Sequence, residues 1–377
     1  MTNLQKGLQR EIAAFSEAIQ SDGGSIPEVS KAAFCKARQK LKPEAFVELS
    51  DLILDGFYQS DEVQRWHGYR LIAVDGSSVQ LPASPAIQAR YGVSRYRGDG
   101  KPICMARMLT AYDPLNHLTL YGAMDKEEIS EIELLWEWLP KQTFAKGDLL
   151  ILDRYFASHL AFFYLNARGV NYCFRMKNNW WKIVERFNAS GRNSQVLNLE
   201  LPPRDRQRAA GLGIKKTTIR VRLVRVILDS GETEILLTSL LNEAAFDVAR
   251  CKELYGLRWP VEESYKSFKH KVCIENFSGK SERAVLQDFY VKLFIMNLTA
   301  VAVRPINAAL QKQSVKVKHV HQVNFIEAIA TMKKAVISFF ITGTVASAIG
   351  RIWSRLLRCT EPIRKGRSNE RNKKAQA

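Results

Sequence analysis

The sequence predicts an α/β protein built on a mixed β-sheet that has helices on its faces. Two observations carry this prediction. Between Tyr69 and Lys177, strand-like and helix-like segments follow one another in the order β-β-β-α-β-α-β. With 377 residues and 46% hydrophobic content, the chain is also long enough to bury a sizeable core in two or three domains. The order of elements alone is compatible with several α/β folds.

Residues 1–68 are predicted to be helical. Pro27 and Pro43 each stand where the first turn of a helix tolerates proline, and the helical run EAFVELSDLILDGFY follows the second one. Four basic residues lie between the two predicted helices: Lys36, Arg38, Lys40 and Lys42. Such a basic bend suits a DNA-binding region, but a solvated charged face on a plain helical bundle is at least as common.

Residues 69–177 contain the predicted sheet. Three strand-like runs come first and are separated by turn residues, so we expect a meander: RLIAVDGSSVQLP, ICMARMLTAYD and HLTLYGAMD. They are followed by a segment with helical spacing of apolar residues (EEISEIELLWEWLP), a short buried strand (DLLIL), a helix that ends at a glycine (SHLAFFYLNARG) and a further strand (NYCFRMK).

The second half of the chain interrupts this succession of strands and helices and then resumes it. Residues 178–233 are polar and rich in Arg and Lys, and the alternating run IRVRL predicts a β-rich insertion. Residues 234–330 begin with the buried strand EILLTSLL and a helix from about Glu243. Residues 331–377 are predicted to contain helices that end near Leu357, followed by a basic disordered tail.

The charge balance favours a polyanionic partner. Lys and Arg number 56 against 38 Asp and Glu, which gives a formal net charge of +18. Nucleic acid and an anionic membrane surface both fit this charge. The most apolar run, AVISFFITGTVASAIG, is shorter than the roughly 20 residues of a membrane span and predicts a buried helix. Six cysteines without a CxxC pair or zinc spacing, and no secretory signal, lead us to expect a cytoplasmic protein.

Two aspartates stand out by their positions. Asp75 lies within the first predicted strand, in VDGSS, and Asp153 follows the buried strand LLIL. A carboxylate at the end of a buried strand marks either a functional site or a helix cap. Each aspartate also has a structural interpretation, because Asp153 could cap the helix that begins near Ala157 and Asp75 could stabilise a turn beside Gly76.

A third candidate, Glu262, lies in the stretch YGLRWPVEESYKSFKH. Pro260 can occupy the first turn of a helix, and an acid near the positive end of a helix has a sufficient structural reason to be there. However, helical spacing places Tyr255, Arg258, Glu262 and Lys269 on one face if the helix is continuous or only kinked at the proline. A structural helix would carry apolar residues on that face.

Three carboxylates from separate elements of a basic protein are typical of two-metal phosphoryl transfer. Mg²⁺ takes oxygen ligands and keeps water, so two aspartates and a glutamate can hold a pair of ions about 3.5 to 4 Å apart. One ion activates the attacking water or hydroxyl, and the other stabilises the leaving oxygen. Surrounding Arg and Lys offset the repulsion between the acids and a phosphodiester.

On these residues the sequence resembles the DDE transposases of the IS4 type, which are related to the Tn5 and Tn10 enzymes. The resemblance rests on Y-x2-R-x3-E-x6-K, on VDGSS and on LDR, and it extends over roughly Tyr69 to Phe277. It implies a ribonuclease-H-like core, with its first part in residues 69–177 and its second part, which carries the signature helix, in residues 234–330. The β-rich insertion then separates the two parts, and helical regions flank them.

The resemblance also implies roles for individual residues. Asp75, Asp153 and Glu262 would be the catalytic residues and would ligate two Mg²⁺ ions, or Mn²⁺ in their place. Arg258, Lys269 and Arg154 would bind DNA phosphates, and Tyr255 would contact a phosphate near the scissile end. One departure lies at Glu234 and Ile235, just before LLTS, where some relatives carry a tryptophan that stacks on a displaced base. Trp180 or Trp181 could substitute for it.

The function implied is that of a bacterial transposase that binds terminal inverted repeats, cleaves DNA there and joins the 3′-OH ends to target DNA. Because two ends must be held together, we expect a homodimer on double-stranded DNA, in the cytoplasm at the nucleoid and without a membrane partner. The alternative is a catalytically inactive DNA-binding regulator, which would show salt-sensitive binding without metal-dependent nicking. A peripheral membrane protein is disfavoured because the basic tail has no apolar face to insert.

Overall fold

The structure, a computed structural model, describes residues 8–21, 28–60, 62–177, 181–228, 231–266, 269, 272–313, 320–342 and 345–362. Its helices are α1 (Leu8–Ser21), α2 (Lys31–Arg38), α3 (Glu44–Tyr58), α4 (Pro85–Tyr91), α5 (Glu131–Trp138), α6 (His159–Ala167), α7 (Lys182–Ala189), α8 (Arg206–Gly211), α9 (Val248–Gly256), α10 (Trp259–Lys266), α11 (Glu282–Gln313), α12 (Phe325–Thr342) and α13 (Val345–Leu356). Short 3₁₀ helices cover Leu139–Lys141, Arg154–Phe156 and Pro203–Asp205. Its strands are β1 (Arg70–Leu81), β2 (Arg95–Tyr96), β3 (Pro102–Asp113), β4 (Leu118–Lys126), β5 (Asp148–Leu152), β6 (Asn171–Met176), β7 (Ser194–Glu200), β8 (Thr218–Ile227), β9 (Thr233–Thr238), β10 (His321–Val323) and β11 (Thr360–Pro362).

The chain divides into two compact units. The first comprises Ala37–Asn297, and the second comprises Leu4–Lys36 together with Leu298–Ala377. In the second unit, β10 pairs with β11, and Lys333 of α12 forms an ion pair with Glu11 of α1. All candidate site residues belong to the first unit.

One mixed sheet forms the centre of the first unit. In the described part of the chain it has nine strands in the order β2-β3-β1-β5-β6-β9-β8-β7, and β4 pairs with β3. β1 is antiparallel to β3 but parallel to β5, which is parallel to β6. β6 is antiparallel to β9. The predicted α/β class with a mixed sheet is confirmed, and the meander β1-β3-β4 is present, with the short helix α4 and strand β2 inserted before β3.

Apolar side chains cover both faces of the sheet. Successive residues of a strand point to opposite faces. Ile72 and Leu150 accordingly join the core formed with α5 and α6, whereas Leu71 and Ile151 join the core formed with α9. All five residues of β5 are buried, as expected for a central parallel strand covered on both sides.

The segment 178–233 is less β-rich than its composition suggests. Its described residues form α7, β7, α8 and β8, and β8 pairs directly with β9 of the main sheet. The alternating run IRVRL is indeed a strand, because Ile219, Val221 and Leu223 enter the core. The sequence pattern did not indicate short helices such as α7, because they are mostly polar and only Val184 and Phe187 of α7 are buried. This segment therefore extends the main sheet.

Helix α11 is long and apolar. Among the described residues it is the one helix that passes a test of length and composition for a membrane span. It nevertheless carries buried polar side chains that are paired inside the protein. Lys292 donates to the carbonyls of Cys273, Ile274 and Asn276, and Asp288 accepts from Arg38 at 3.1 Å. These contacts are those of a core helix.

Two further expectations concern the ends of the chain. Arg38, one of the four basic residues near the amino terminus, is buried and binds Gln287 and Asp288. Its charge is therefore paired inside the protein and is not exposed to a partner. The predicted buried helix over 335–350 is two helices, because α12 ends at Thr342 and α13 begins at Val345. The predicted disordered tail begins with Glu361 and Pro362, which instead belong to strand β11, and its remaining residues, like Pro27, lie outside the described residues.

Candidate active site

Asp75 and Asp153 occupy equivalent positions on neighbouring parallel strands. The register pairs Val74 of β1 with Leu152 of β5, and each aspartate is the next residue along its strand direction. By the alternation of side chains, both aspartates continue the face that carries Leu71 and Ile151. That face is the one covered by α9. The two carboxylates therefore lie on the same side of the sheet, 78 residues apart in sequence.

The signature stretch approaches this face as two helices. The predicted single helix is interrupted, because α9 ends at Gly256 and α10 begins at Trp259. Tyr255, in the last turn of α9, is buried in the core beneath the sheet. Its hydroxyl donates a hydrogen bond to Oδ1 of Asp153 at 3.3 Å. The first residue of the signature is thus tied to the second aspartate.

Arg258 lies between the two helices and connects Glu262 with Asp75. Its Nη2 donates to Oε1 of Glu262 at 2.6 Å, and the guanidinium carbon is 5.6 Å from the centroid of the Tyr255 ring. Only 6% of Arg258 is exposed. Although burial lowers it, the pKa of Arg258 is raised overall by Tyr255, Glu262 and Asp75. Arg258 therefore binds Glu262 of α10 and acts electrostatically on Asp75 of β1.

The pKa of Asp75 reflects its burial and the charged groups around it. The pKa of Asp75 is raised to about 7, chiefly by burial, and the negative charges of Glu262 and Glu131 contribute to the rise. Arg258 and the backbone N–H of Gly76 act in the opposite direction. The pKa of Asp75 thus lies well above that of an isolated aspartate, which is ionised throughout the neutral range.

Tyr265 fastens α10 to the strand that carries Asp75. It lies three residues after Glu262, and its buried hydroxyl donates to the carbonyl oxygen of Asp75 at 2.5 Å. The same hydroxyl accepts a hydrogen bond from Oγ1 of Thr110 on β3 at 2.8 Å. Thr110 and Asp75 are direct partners in the sheet. One phenol thus sets the distance between the helix of Glu262 and the strand of Asp75.

Glu131 is a further acid close to Asp75 that we did not predict from the sequence. It lies in the first turn of α5, and its side chain covers Gly76, the residue after Asp75. Burial raises the pKa of Glu131, and the charge of Asp153 raises it further. The available signal was the pair Ser130 and Glu133, which forms a capping box and leaves Glu131 without a capping role.

Glu234 is a buried acid on β9, the strand that pairs with β6. It forms an ion pair with Arg175 of β6 at 2.7 Å. Burial raises the pKa of Glu234, Arg175 opposes this rise, and Asp153 adds to it. Glu234 thus brings a paired charge close to the second aspartate, at the position where we expected a departure from the relatives.

The residues expected to contact DNA differ in their exposure. Arg154 is exposed, in the 3₁₀ helix that follows Asp153, and Lys269 is half-buried. Tyr255 and Arg258 are buried and face the acids. Trp181 stacks on His159 with ring centroids 4.0 Å apart. Trp180 and the side chain of Glu263 lie outside what the structure describes.

Carboxylates from β1, from the end of β5 and from α10 approach the same side of the sheet, and carboxylate oxygens are ligands that a hard divalent cation takes. The raised pKa of Asp75 also indicates that negative charge there needs a cation. Within the described ranges, however, no three His, Cys, Asp or Glu side chains form a ready metal-binding group. The Arg258 guanidinium forms an ion pair with Glu262, and its positive charge lowers the pKa of Asp75.

Comparisons with known proteins match the region of the chain that contains these residues. Residues 66–298 match the family described as Transposase DDE domain. The chain is 25% identical over 285 residues to the transposase InsG for insertion sequence element IS4 of Escherichia coli (strain K12). That alignment covers 73% of this chain and 61% of the relative, so the chain spans about three fifths of the relative's length. The cryo-EM structure of the piggyBac transposase synaptic complex with hairpin DNA matches with a TM-score of 0.44 and 12% identity, over 81% of this chain and 60% of that one.

Proposed function

Because this chain belongs to the transposase DDE domain family, we propose that it cuts and joins DNA by metal-dependent phosphoryl transfer. The predicted resemblance to DDE transposases is confirmed by the family match, and the relative from an IS4 element agrees with the predicted type. In this proposal the protein binds the terminal inverted repeats of its own element, hydrolyses phosphodiester bonds there and joins the 3′-OH ends to target DNA.

The proposal is carried by one observation, which is the way the signature side chains join three acids from distant parts of the chain. Tyr255 binds Asp153, and Arg258 binds Glu262 and is electrostatically coupled to Asp75. Asp75, Asp153 and Glu262 would hold the divalent cations. When bound, these cations supply Lewis-acid activation of the attacking oxygen and stabilisation of the leaving oxygen.

The protein's own groups would orient the acids and offset charge. The Tyr255 hydroxyl holds the carboxylate of Asp153, and Tyr265 holds α10, and with it Glu262, against β1. Arg258 carries positive charge into a site that must accept a phosphodiester. Arg154 and Lys269 would bind phosphates further along the DNA, where their exposure allows it.

The larger organisation follows the same proposal. The succession β1-β3-β4-α5-β5-α6-β6 supports a ribonuclease-H-like core over residues 69–177, completed by 234–330. Residues 178–233 would be the insertion, residues 1–68 a DNA-binding region, and residues 331–377 a helical end with a basic tail. Joining two ends requires a homodimer on DNA, and the substrate places the protein at the bacterial nucleoid.

A cleavage assay tests the proposal. A labelled duplex that carries the element's terminal repeat is incubated with Mg²⁺ and with the wild type or Asp75→Asn, Asp153→Asn or Glu262→Gln. We expect each substitution to reduce cleavage by at least about 100-fold, since loss of a supporting group alone costs 10–100-fold in affinity or activity. Glu137→Gln is the matched control, because Glu137 is an exposed acid on α5. Equal cleavage by all five proteins would refute the proposal.

A further inference from the structure

The hairpin formed by β2 and the start of β3 protrudes from the main sheet. β2 pairs with Pro102 and Ile103 of β3. The pairing of β3 with β1 starts only at Cys104, and its pairing with β4 starts only at Ala106. The hairpin, residues 94–103, therefore extends as two strands beyond both neighbouring strands of the sheet, and we call it the ribbon.

The turn at the tip of the ribbon is closed by hydrogen bonds. The backbone N–H of Arg97 donates to the carbonyl of Lys101 at 2.8 Å, and the N–H of Gly100 donates to the carbonyl of Arg97 at 2.9 Å. Gly100 has a φ of 78°, in the left-handed region that glycine adopts readily. The carboxylate of Asp99 accepts from the N–H of Lys101 and pairs with its Nζ at 3.1 Å. The tip therefore presents its side chains from a defined backbone.

The ribbon carries an exposed aromatic ring between two exposed cations. Tyr96 is 68% exposed, and Arg95 and Arg97, which precede and follow it, are exposed as well. Within the described part of the chain, neither of these arginines forms an ion pair with a carboxylate. Arg90 of α4, in contrast, is held by two acids at 2.9 and 2.8 Å. The ribbon thus combines unpaired positive charge with an unburied ring.

The charges alone have a structural explanation. A short edge strand with charged side chains resists pairing with the edge of another sheet. That explanation covers Arg95 and Arg97. It does not cover Tyr96, because an exposed ring adds apolar area to the same edge, and tyrosine is a residue type enriched at interfaces. Burial of the ring against an anionic partner explains all three residues together.

The ribbon continues the strand that pairs with Asp75. Asp75 is opposite Thr110 of β3, and Arg95 is opposite Ile103. The seven positions of β3 from 103 to 110 span about 24 Å at about 3.4 Å per residue. By the alternation of side chains, Tyr96 continues the face of β3 that carries Thr110. A helical turn of DNA is about 34 Å long, so a duplex that runs along β3 from a bond cleaved at Asp75 reaches the ribbon within one turn.

We propose that the ribbon binds duplex DNA beside the cleavage site by entering the major groove, which admits a two-stranded β-ribbon. Arg95 and Arg97 bind phosphates along the groove, and the ring of Tyr96 packs against the DNA. This inference rests on the proposed function, which supplies DNA as the substrate. It adds a second contact with the duplex, within one helical turn of the cleaved bond and separate from the signature residues.

The test is binding of the full-length protein to a fluorescein-labelled duplex that carries the terminal repeat. Fluorescence anisotropy is measured over a series of salt concentrations, in EDTA so that the DNA stays intact. At about 0.1 M salt, Arg95→Ala/Arg97→Ala should bind about 10–100-fold more weakly, and its slope of log K against log salt should be shallower by about 2, because two phosphate contacts are lost. Tyr96→Ala should bind about tenfold more weakly with an unchanged slope, because it removes apolar burial and no charge.

The matched control removes the same charge elsewhere. Lys141 and Lys146 are exposed and precede β5, whereas Asp153 follows that strand, so the two lysines lie towards its other end. Lys141→Ala/Lys146→Ala should keep the affinity and the salt slope of the wild type. All these side chains are exposed, and we expect unchanged unfolding midpoints. If Tyr96→Ala lowers the midpoint, the comparison of the two double variants decides alone.

Hydroxyl-radical footprinting locates the contact. At saturating protein, Arg95→Ala/Arg97→Ala should lose protection of the DNA within one helical turn of the cleaved bond and keep it elsewhere. Wild-type affinity and salt slope in both ribbon variants, the same losses in the lysine control, or lost protection only at a greater distance would each overturn the inference. Binding that depends on the ribbon, together with cleavage that does not depend on Asp75, would count against the proposed function instead. No binding of the duplex by the wild type would refute both.

Discussion

Replacement of Tyr265 by phenylalanine tests whether one hydroxyl holds the two halves of the site together. The ring would remain in its buried position, and only the oxygen would be lost. The carbonyl of Asp75 would then lose its donor and Thr110 would lose its acceptor, both in the interior. A buried polar group left without its partner costs about 1–3 kcal/mol. We expect a loss of stability of that size.

Tyr172 provides a matched control on the same sheet. It is fully buried, and within the described structure its hydroxyl has no hydrogen-bond partner. Its ring packs against Phe162 and Phe174 at centroid distances of 5.7 and 5.8 Å, contacts that phenylalanine would keep. Tyr172→Phe removes a polar atom that pays a desolvation cost without compensation, so we expect it to be neutral or stabilising.

Thermal unfolding of the cation-free protein distinguishes the two variants. For a folding unit of roughly this size, each kcal/mol corresponds to a shift of about 2–4 °C in the midpoint. Tyr265→Phe should therefore unfold several degrees below the wild type, and Tyr172→Phe should not. In a double-mutant cycle, Tyr265→Phe and Thr110→Val should be non-additive by about 0.5–3 kcal/mol. Equal midpoints for Tyr265→Phe and Tyr172→Phe would refute this reasoning.

Two further predictions concern buried charges. Because the pKa of Asp75 is raised to about 7 in the folded protein from 3.8, the folded state binds its proton more tightly, and this contribution to stability is lost as pH rises from about 4 through 7. In EDTA, Asp75→Asn should therefore show a flatter pH profile of urea unfolding and exceed wild-type stability above pH 7; identical profiles would contradict the assignment. Arg38→Ala should destabilise the protein by about 3–5 kcal/mol, because it removes the ion-pair partner of the fully buried Asp288, whereas Lys40→Ala, at an exposed position, should change stability by less than about 0.5 kcal/mol. Similar unfolding midpoints for these two variants would show that the buried pair does not stabilise the fold.

The strands could be predicted because their signals are local. Alternating or continuous apolar runs marked β1, β3, β4, β5 and β6, and the fixed spacing from Tyr255 to Glu262 identified the signature. The relation between Asp75 and Asp153 depends on strand register, which the sequence could suggest only through their similar positions at buried strands. It follows from the parallel pairing of β1 with β5.

The contacts that were missed join residues far apart in the chain. Tyr265 binds Thr110 across 155 positions, and no periodic pattern in either segment indicates that partner. Glu131 could not be distinguished from an ordinary acid of a helix start until the space above Gly76 was known. The break between α9 and α10 was likewise uncertain, because Pro260 is equally compatible with a kink and with a new first turn.

The parallel alignment of β1 with β5 has a consequence for which insertions and deletions this protein can tolerate. Residues 82–147 connect the two strands through loops and other elements. Changes of length in the exposed connections therefore leave the register between β1 and β5, and with it the relative positions of both carboxylates, unchanged. Removal of one residue between Arg70 and Asp75 is different, because restoring the strand's hydrophobic pairing would then rotate Asp75 to the opposite side of the sheet, among Ile72, Leu150 and their neighbours. Related genes should therefore vary in length in the exposed connections between the two aspartates, but not within the five residues that lead up to each aspartate.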